Sequence, residues 1–350
     1  MVSEHLLSIQ FRLRPERGCH TQQFLLFSFP AIRKEDLLTA PPLPREVIEM
    51  MAKREHRMHH WLWHEVRNNW NQYPKDVQTK IEGLGWRPPR PILDEVGRPI
   101  LRNNSGEDFL FMHRQMIADV NAILARVGDP NYPRVEGWVA APPPGDPDYP
   151  VPPAWFNPTV EGFLPFVRLQ RLKSDVFYDK RFVYWQKLFT NPGFLRRISL
   201  GELGVLIELT IHNVMHLRWA SPPGSSLPYP DDPTQVETTI PAEWDDPRYD
   251  FLTETYSSHV NPIFWKLHGW IDDRVENWKV VNGVLGNDFW KGTWLGKMPR
   301  HEEEAPTSRV HLALEHPKVA AQHLAGAEEA VKILRRSGIT HVPFAQVPVD

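Results

Sequence analysis

Two histidines four residues apart, His212 and His216, lie in a segment, 208–219, whose apolar residues recur at helical spacing. A helix rises about 1.5 Å per residue with about 3.6 residues per turn, so both imidazoles fall on one face and can aim at one metal ion. Imidazole is the commonest protein ligand for copper, zinc and iron, and such a pair supplies two of the three nitrogens an open site needs. The third must come from elsewhere. With 16 histidines in 350 residues, the spacing alone also fits two hydrogen-bonded core histidines on an apolar helix.

A second stretch downstream narrows this. His212-Asn213-x-x-His216 is followed by Asn261-Pro262-x-Phe264-Trp265-x-x-His268-x-x-x-Asp272-x-Arg274. Together the two blocks resemble the second copper-binding half of tyrosinases and other type 3 copper proteins, H-N-x-x-H and then D-P-x-F-aromatic-x-x-H-x-x-x-D-R. Two positions depart from that pattern: Asn261 stands for the usual Asp, and one residue separates Asp272 from Arg274. Neither is a ligand. The resemblance implies that His212, His216 and His268 hold one copper; Asp272 and Arg274 read as structural, a buried ion pair or cap near the site.

The first copper half is less regular. Phe109-Leu-Phe-Met-His113-Arg114 matches the end of the family's H-x4-F-L-x-W-H-R, with Met112 in the aromatic place, so His113 is a ligand by resemblance. Asn104 occupies the position of the preceding ligand, and an amide is a poor copper ligand beside imidazole. The acidic residue that closes this family helix is replaced by Asn121. Three repairs stay open: His60 and His64, four apart on the helical stretch 45–70, both bind with His113; His64 binds with Asn104 or water; or His20, His259 or a tail histidine completes the site. His56, His59, His301, His311, His316 and His323 read as solvated helix residues, and His259 as a hydrogen-bond partner of a ligand.

The resemblance to this family implies two coppers that use O2 for ortho-hydroxylation of a phenol, or oxidation of a catechol or related o-aminophenol to a quinone, on a phenolic small molecule or a tyrosyl-containing substrate. Family members that hydroxylate monophenols often carry Asn after the first histidine of this half, paired with an acid through water. Asn213 fills that place, and Glu202 and Glu208 are both candidates for the acid. Leu217 would shape the substrate entrance. Two other readings accompany this one: a single-metal or non-redox enzyme with a degraded first site, and a non-catalytic copper- or O2-binding relative.

Composition sets the frame. With 41% hydrophobic residues, the chain can bury a large core. A formal charge of −3 and no long basic run favour neither nucleic acid nor an anionic membrane. Cys19 is the sole cysteine, which precludes an internal disulfide, and its distance in sequence from the metal blocks leads us to expect no thioether to a ligand of the kind some tyrosinase-like proteins carry. No secretory pattern opens the chain and no apolar run reaches 18 residues, so a cytoplasmic protein is expected.

The elements that must carry the site are mainly helical. Apolar spacing predicts helices over 45–70, 107–127, 162–173, 180–188, 199–219, 261–280 and 316–337, separated by Pro-rich loops at 128–158 and 221–247, with short strands at 6–11 and 24–29. The expected architecture is a tyrosinase-like four-helix bundle core. Three regions follow: an extension over 1–44, the copper domain over 45–300, and a C-terminal helix and tail over 301–350. By resemblance to tyrosinases with an inhibitory segment, that tail is a candidate lid, with Phe344 as its aromatic.

Overall fold

The computed structural model describes residues 43–155, 164–221, 239–297 and 317–338, all within a compact unit that spans Lys34–Asp350. The expected strands at 6–11 and 24–29, and Phe344, lie outside the described residues. Within them the protein is helical: α1 (Arg45–Met51), α2 (Arg54–Asn69), α3 (Lys75–Gly83), α4 (Ser105–Val127), α5 (Leu164–Lys173), α6 (Val183–Thr190), α7 (Leu200–Ile207), α8 (Asn213–Trp219), α9 (Pro262–Asn282) and α10 (Pro317–Arg336). An isolated antiparallel bridge joins Leu93 to Pro99. No helix among the described residues is long and apolar enough to cross a membrane.

The ends of these helices follow local chemistry. Ser199 and Glu202 form a capping box that starts α7. Asn261 accepts the Ile263 N–H and places Pro262 in the first turn of α9, where a missing N–H costs nothing. Asn104 precedes α4 with φ 63°, a left-handed conformation that Asn tolerates better than most side chains.

Two predicted helices are interrupted. The 45–70 pattern breaks at Lys53, whose ψ of 137° ends one helix and starts the next. The buried Arg57 guanidinium, just past the break, takes the Ala52 carbonyl at 2.9 Å and is itself held by the distant carbonyls of Asp246 and Tyr249, both at 2.9 Å. Between α7 and α8, residues Glu208–His212 form a π-helical turn. The extra residue rotates His212 and His216 relative to α7, and such turns recur at functional sites.

α4 packs along α7 and α9, α8 against α5 and α9, and α10 on α2 and α3. The α4–α7 contact is backbone on backbone. A Cβ on Gly204 would lie 2.2 Å from the Gly106 carbonyl oxygen, and one on Gly106 2.1 Å from the Gly201 oxygen. A similar contact sets Gly269, next to His268, against Gly137. Gly204→Ala is therefore expected to destabilise the fold by at least about 1–3 kcal/mol, the usual cost of overpacking. Gly83→Ala is the control, since a Cβ there would meet nothing within 4 Å and alanine is the better helix former. Urea unfolding of the two variants checks the contrast.

α10 closes the outer side of α2. Ala330, Val331 and Leu334 are buried, and Arg54 of α2 pairs with Glu328 at 3.2 Å and with Asp245 at 3.0 Å.

Candidate metal centre

Four helical segments deliver six imidazoles to the interior. His60 and His64 of α2 meet His113 of α4, and His212 and His216 meet His268 of α9. In each triad the three ligand nitrogens lie within 4.8 Å of one another, and all six residues are buried. The two triads are therefore close enough to hold metal ions. In the first, ring centroids are separated by 4.8, 5.4 and 5.8 Å; in the second, by 4.5, 5.0 and 5.5 Å. The triads adjoin. His113 and His268 stack face to face at 4.1 Å and 8°.

Backbone and side-chain acceptors orient the rings. His113 Nδ1 faces the Phe109 carbonyl at 2.9 Å, His60 Nδ1 the Thr255 carbonyl at 2.5 Å, and His216 Nδ1 the Leu252 carbonyl at 2.7 Å. His212 Nδ1 faces Asn213 Oδ1, also at 2.9 Å. A carbonyl oxygen only accepts, so in these rings the proton sits on Nδ1 and Nε2 carries the free lone pair. Nε2 of His60 and of His113 are buried without a hydrogen-bond partner among the described residues. Leaving such atoms unsatisfied costs about 1–3 kcal/mol each, which a bound metal would offset. In the second triad His216 Nε2 and His268 Nε2 converge to 3.4 Å. Phe264 packs on His268 at 3.9 Å and on His113 at 6.0 Å, and Phe109 bridges His113 and His212 at 4.6 and 4.9 Å. These rings keep the interior of the site apolar.

Burial is the largest cause of the site's proton chemistry. It pushes His60 down to about 3 and His216 to about 4, and His64, His113, His212 and His268 well below the ordinary imidazole value. All six are neutral at pH 7, the form that binds metal. Because the folded values lie below the unfolded one, the unfolded chain takes up protons first as pH falls. The stability contribution is complete above about pH 6.5 and declines toward the folded values near pH 3–4. The metal-free protein is expected to lose at least about 2 kcal/mol between pH 7 and pH 5, the contribution of a single such histidine. Urea titrations at the two pH values measure it, and equal stabilities would refute it.

The remaining site candidates take other places. Glu208 forms a buried two-pronged ion pair with Arg67 of α2, at 2.7 and 2.8 Å, and Arg67 also donates to the Ser105 carbonyl at 2.8 Å. Burial raises the Glu208 carboxyl against the pull of Arg67. Glu202 accepts from Ser199 N–H at 3.1 Å and pairs with Arg102 at 3.0 Å, and the Ser199 N–H holds its carboxyl below the usual range. Neither carboxylate is hydrogen-bonded to a triad ring among the described residues. Asn104 lies against α7, where a Cβ on Gly201 would meet its Oδ1 at 2.9 Å.

Two readings need correction. Asp272 pairs with Arg114, at 2.6 Å, and not with Arg274, whose guanidinium lies over the Trp270 ring at 4.5 Å. The inserted residue puts Asp272 and Arg274 two apart on a helix, on different faces. Neither His59 nor His56 is solvated: His59 Nε2 meets the Leu295 carbonyl at 2.8 Å and burial pushes it down to about 4, while His56 Nε2 is buried as well. His301, His311 and His316 lie outside the described residues.

Sequence reasoning missed Arg67 and Trp63. Trp63, next to His64 and 4.9 Å from its ring, stacks on Trp294 at 5.7 Å under the Arg67 guanidinium. Its adjacency to His64, a candidate ligand, was the available signal. No protein-family model matches the chain, and no curated protein matches it.

Proposed function

We propose that this protein is a dinuclear copper oxidase of the tyrosinase kind, built on a four-helix bundle and acting with O2 on a phenol or catechol. The observation that carries the reading is the pair of adjoining all-imidazole triads, joined by the stack of His113 on His268. Six neutral imidazoles with no thiolate and no carboxylate among them suit copper better than hard cations. His60, His64 and His113 would hold one ion, and His212, His216 and His268 the other. Two coppers there would pass electrons from the substrate to O2, so that a catechol loses two electrons and two protons to become a quinone, or a phenol gains one oxygen atom of O2 while the other leaves as water.

The chain's own groups prepare that chemistry. The Thr255, Phe109 and Leu252 carbonyls and Asn213 Oδ1 fix which nitrogen of each ring faces inward. Asn213 thereby supports the reaction through His212. Glu208 and Arg67 tie the helix that bears His60 and His64 to the turn that bears His212. Phe109 and Phe264 limit water between the triads, which strengthens the electrostatics of the site.

Quinone formation from a monophenol and from a catechol, followed by absorbance on copper-loaded protein in air, tests the reading. Oxygen-dependent turnover of either substrate supports it. Two bound coppers with no turnover would assign an O2- or copper-binding role without catalysis. Selective binding of zinc over copper would overturn the proposal.

A further inference from the structure

His259 is fully buried and belongs to neither triad. Its backbone is fixed in the short turn Ser258–Val260, where the Trp265 indole donates to the His259 carbonyl at 3.1 Å. The side chain spans two elements. Its Nε2 meets the carbonyl of Met51, the last residue of α1, at 3.1 Å, and its Nδ1 meets Nδ1 of His60 at 3.2 Å. His60 Nδ1 also faces the Thr255 carbonyl at 2.5 Å.

The two carbonyls admit one arrangement of protons. Met51 O accepts, so His259 is protonated on Nε2 and its Nδ1 bears a lone pair. Thr255 O accepts, so His60 is protonated on Nδ1, and that N–H is shared between Thr255 O and His259 Nδ1. His60 Nε2, buried without a hydrogen-bond partner among the described residues, is left facing the first triad. The opposite arrangement would set a lone pair against a carbonyl oxygen at both ends of the relay.

We propose that His259 is a positioning residue for the first metal site: with the Thr255 carbonyl it holds the His60 ring from behind, aims Nε2 at the ion and makes that nitrogen a stronger donor. This role rests on the reading of the triads as a metal centre. It is confined to one site. The second triad takes its orientation from Leu252 O and Asn213, and the hydrogen bonds of His259 among the described residues go to Met51 O and His60 instead. Partners that orient a metal-bound histidine typically change metal affinity 10–100-fold on removal.

The test uses the full chain and Cu(II) titrated against a competing chelator. His268→Ala isolates the first triad, and His113→Ala isolates the second. In each background His259 is replaced by Phe, which fills the space without an acceptor, and by Asn, whose Oδ1 falls near the place of Nδ1. First-site affinity should fall about 10–100-fold with His259→Phe and return to within about 3-fold with His259→Asn, while second-site affinity stays unchanged. Ring-nitrogen NMR of the metal-free wild type should show His259 protonated on Nε2 and His60 on Nδ1. An unchanged first site, equal losses at both sites, no rescue by Asn, or the reverse protonation would overturn the role. Copper at neither triad of the wild type would instead overturn the metal-centre reading, and this role with it.

Discussion

If the triads form the proposed dinuclear copper centre, His113→Ala should leave one copper per chain in place of two and lower phenol or catechol turnover at least about 100-fold, beyond what loss of a merely orienting partner costs. His113 has two functions that no neighbour can assume. It supplies the one nitrogen of the first triad that does not come from α2, and its ring is the face on which His268 stacks at 4.1 Å. Copper analysis beside quinone formation measures both losses. Retention of two coppers and normal turnover would mean that the first triad is not a metal site. His59→Ala serves as the comparison, because its Nε2 is held by Leu295 O outside the triads, and it should keep both coppers.

Breaking the Arg67–Glu208 pair should cost more stability than any other single change of a charged residue near the site. Both side chains are almost wholly buried, with 0% and 4% of their surface exposed. Glu208→Ala leaves a guanidinium in an apolar interior with Ser105 O as its main acceptor. The expected loss is roughly 3–5 kcal/mol. Replacing both partners with Arg67→Met and Glu208→Leu should be far milder, since no charge is then left uncompensated. Urea unfolding of the single and double variants decides it. A loss under about 1 kcal/mol for Glu208→Ala would show that the pair is not what joins the two helices. The pair also bears on metal binding, because Arg67 follows His64 by three residues and Glu208 precedes His212 by four. Copper affinity should therefore fall at both triads in Glu208→Ala.

The second triad was legible because its information is local. His212 and His216 share a helical face by spacing alone, and His268 lies in a block with its own recurrent neighbours. The first triad was only one of three options, because Asn104 interrupts the expected pattern and nothing in the sequence says that two ligands come from α2. Helix positions were largely readable from apolar spacing: 107–127 became Ser105–Val127, and 261–280 became Pro262–Asn282. The break between α1 and α2 was not, since the local pattern continues across it. Its cause is the capture of Ala52 and Met51 carbonyls by Arg57 and His259. The same reason hid most of what orients the ligands. Phe109, Leu252 and Thr255 act through backbone carbonyls, which every residue has, so no side-chain type marks them. Arg67 and Glu208 are 141 positions apart and meet only in the fold. α3 was missed because it is short and sits between the Pro74 and Pro88 breaks.

The most direct test of a dinuclear copper centre is copper per chain together with the Cu(II) electron paramagnetic resonance signal of the same sample. Neighbouring Cu(II) ions couple their spins, whereas isolated ions each contribute a full signal. The adjoining triads predict two coppers per chain with a signal far smaller than the copper content. One copper per chain with full signal intensity, or two that both give full signals, would contradict a joined pair of sites.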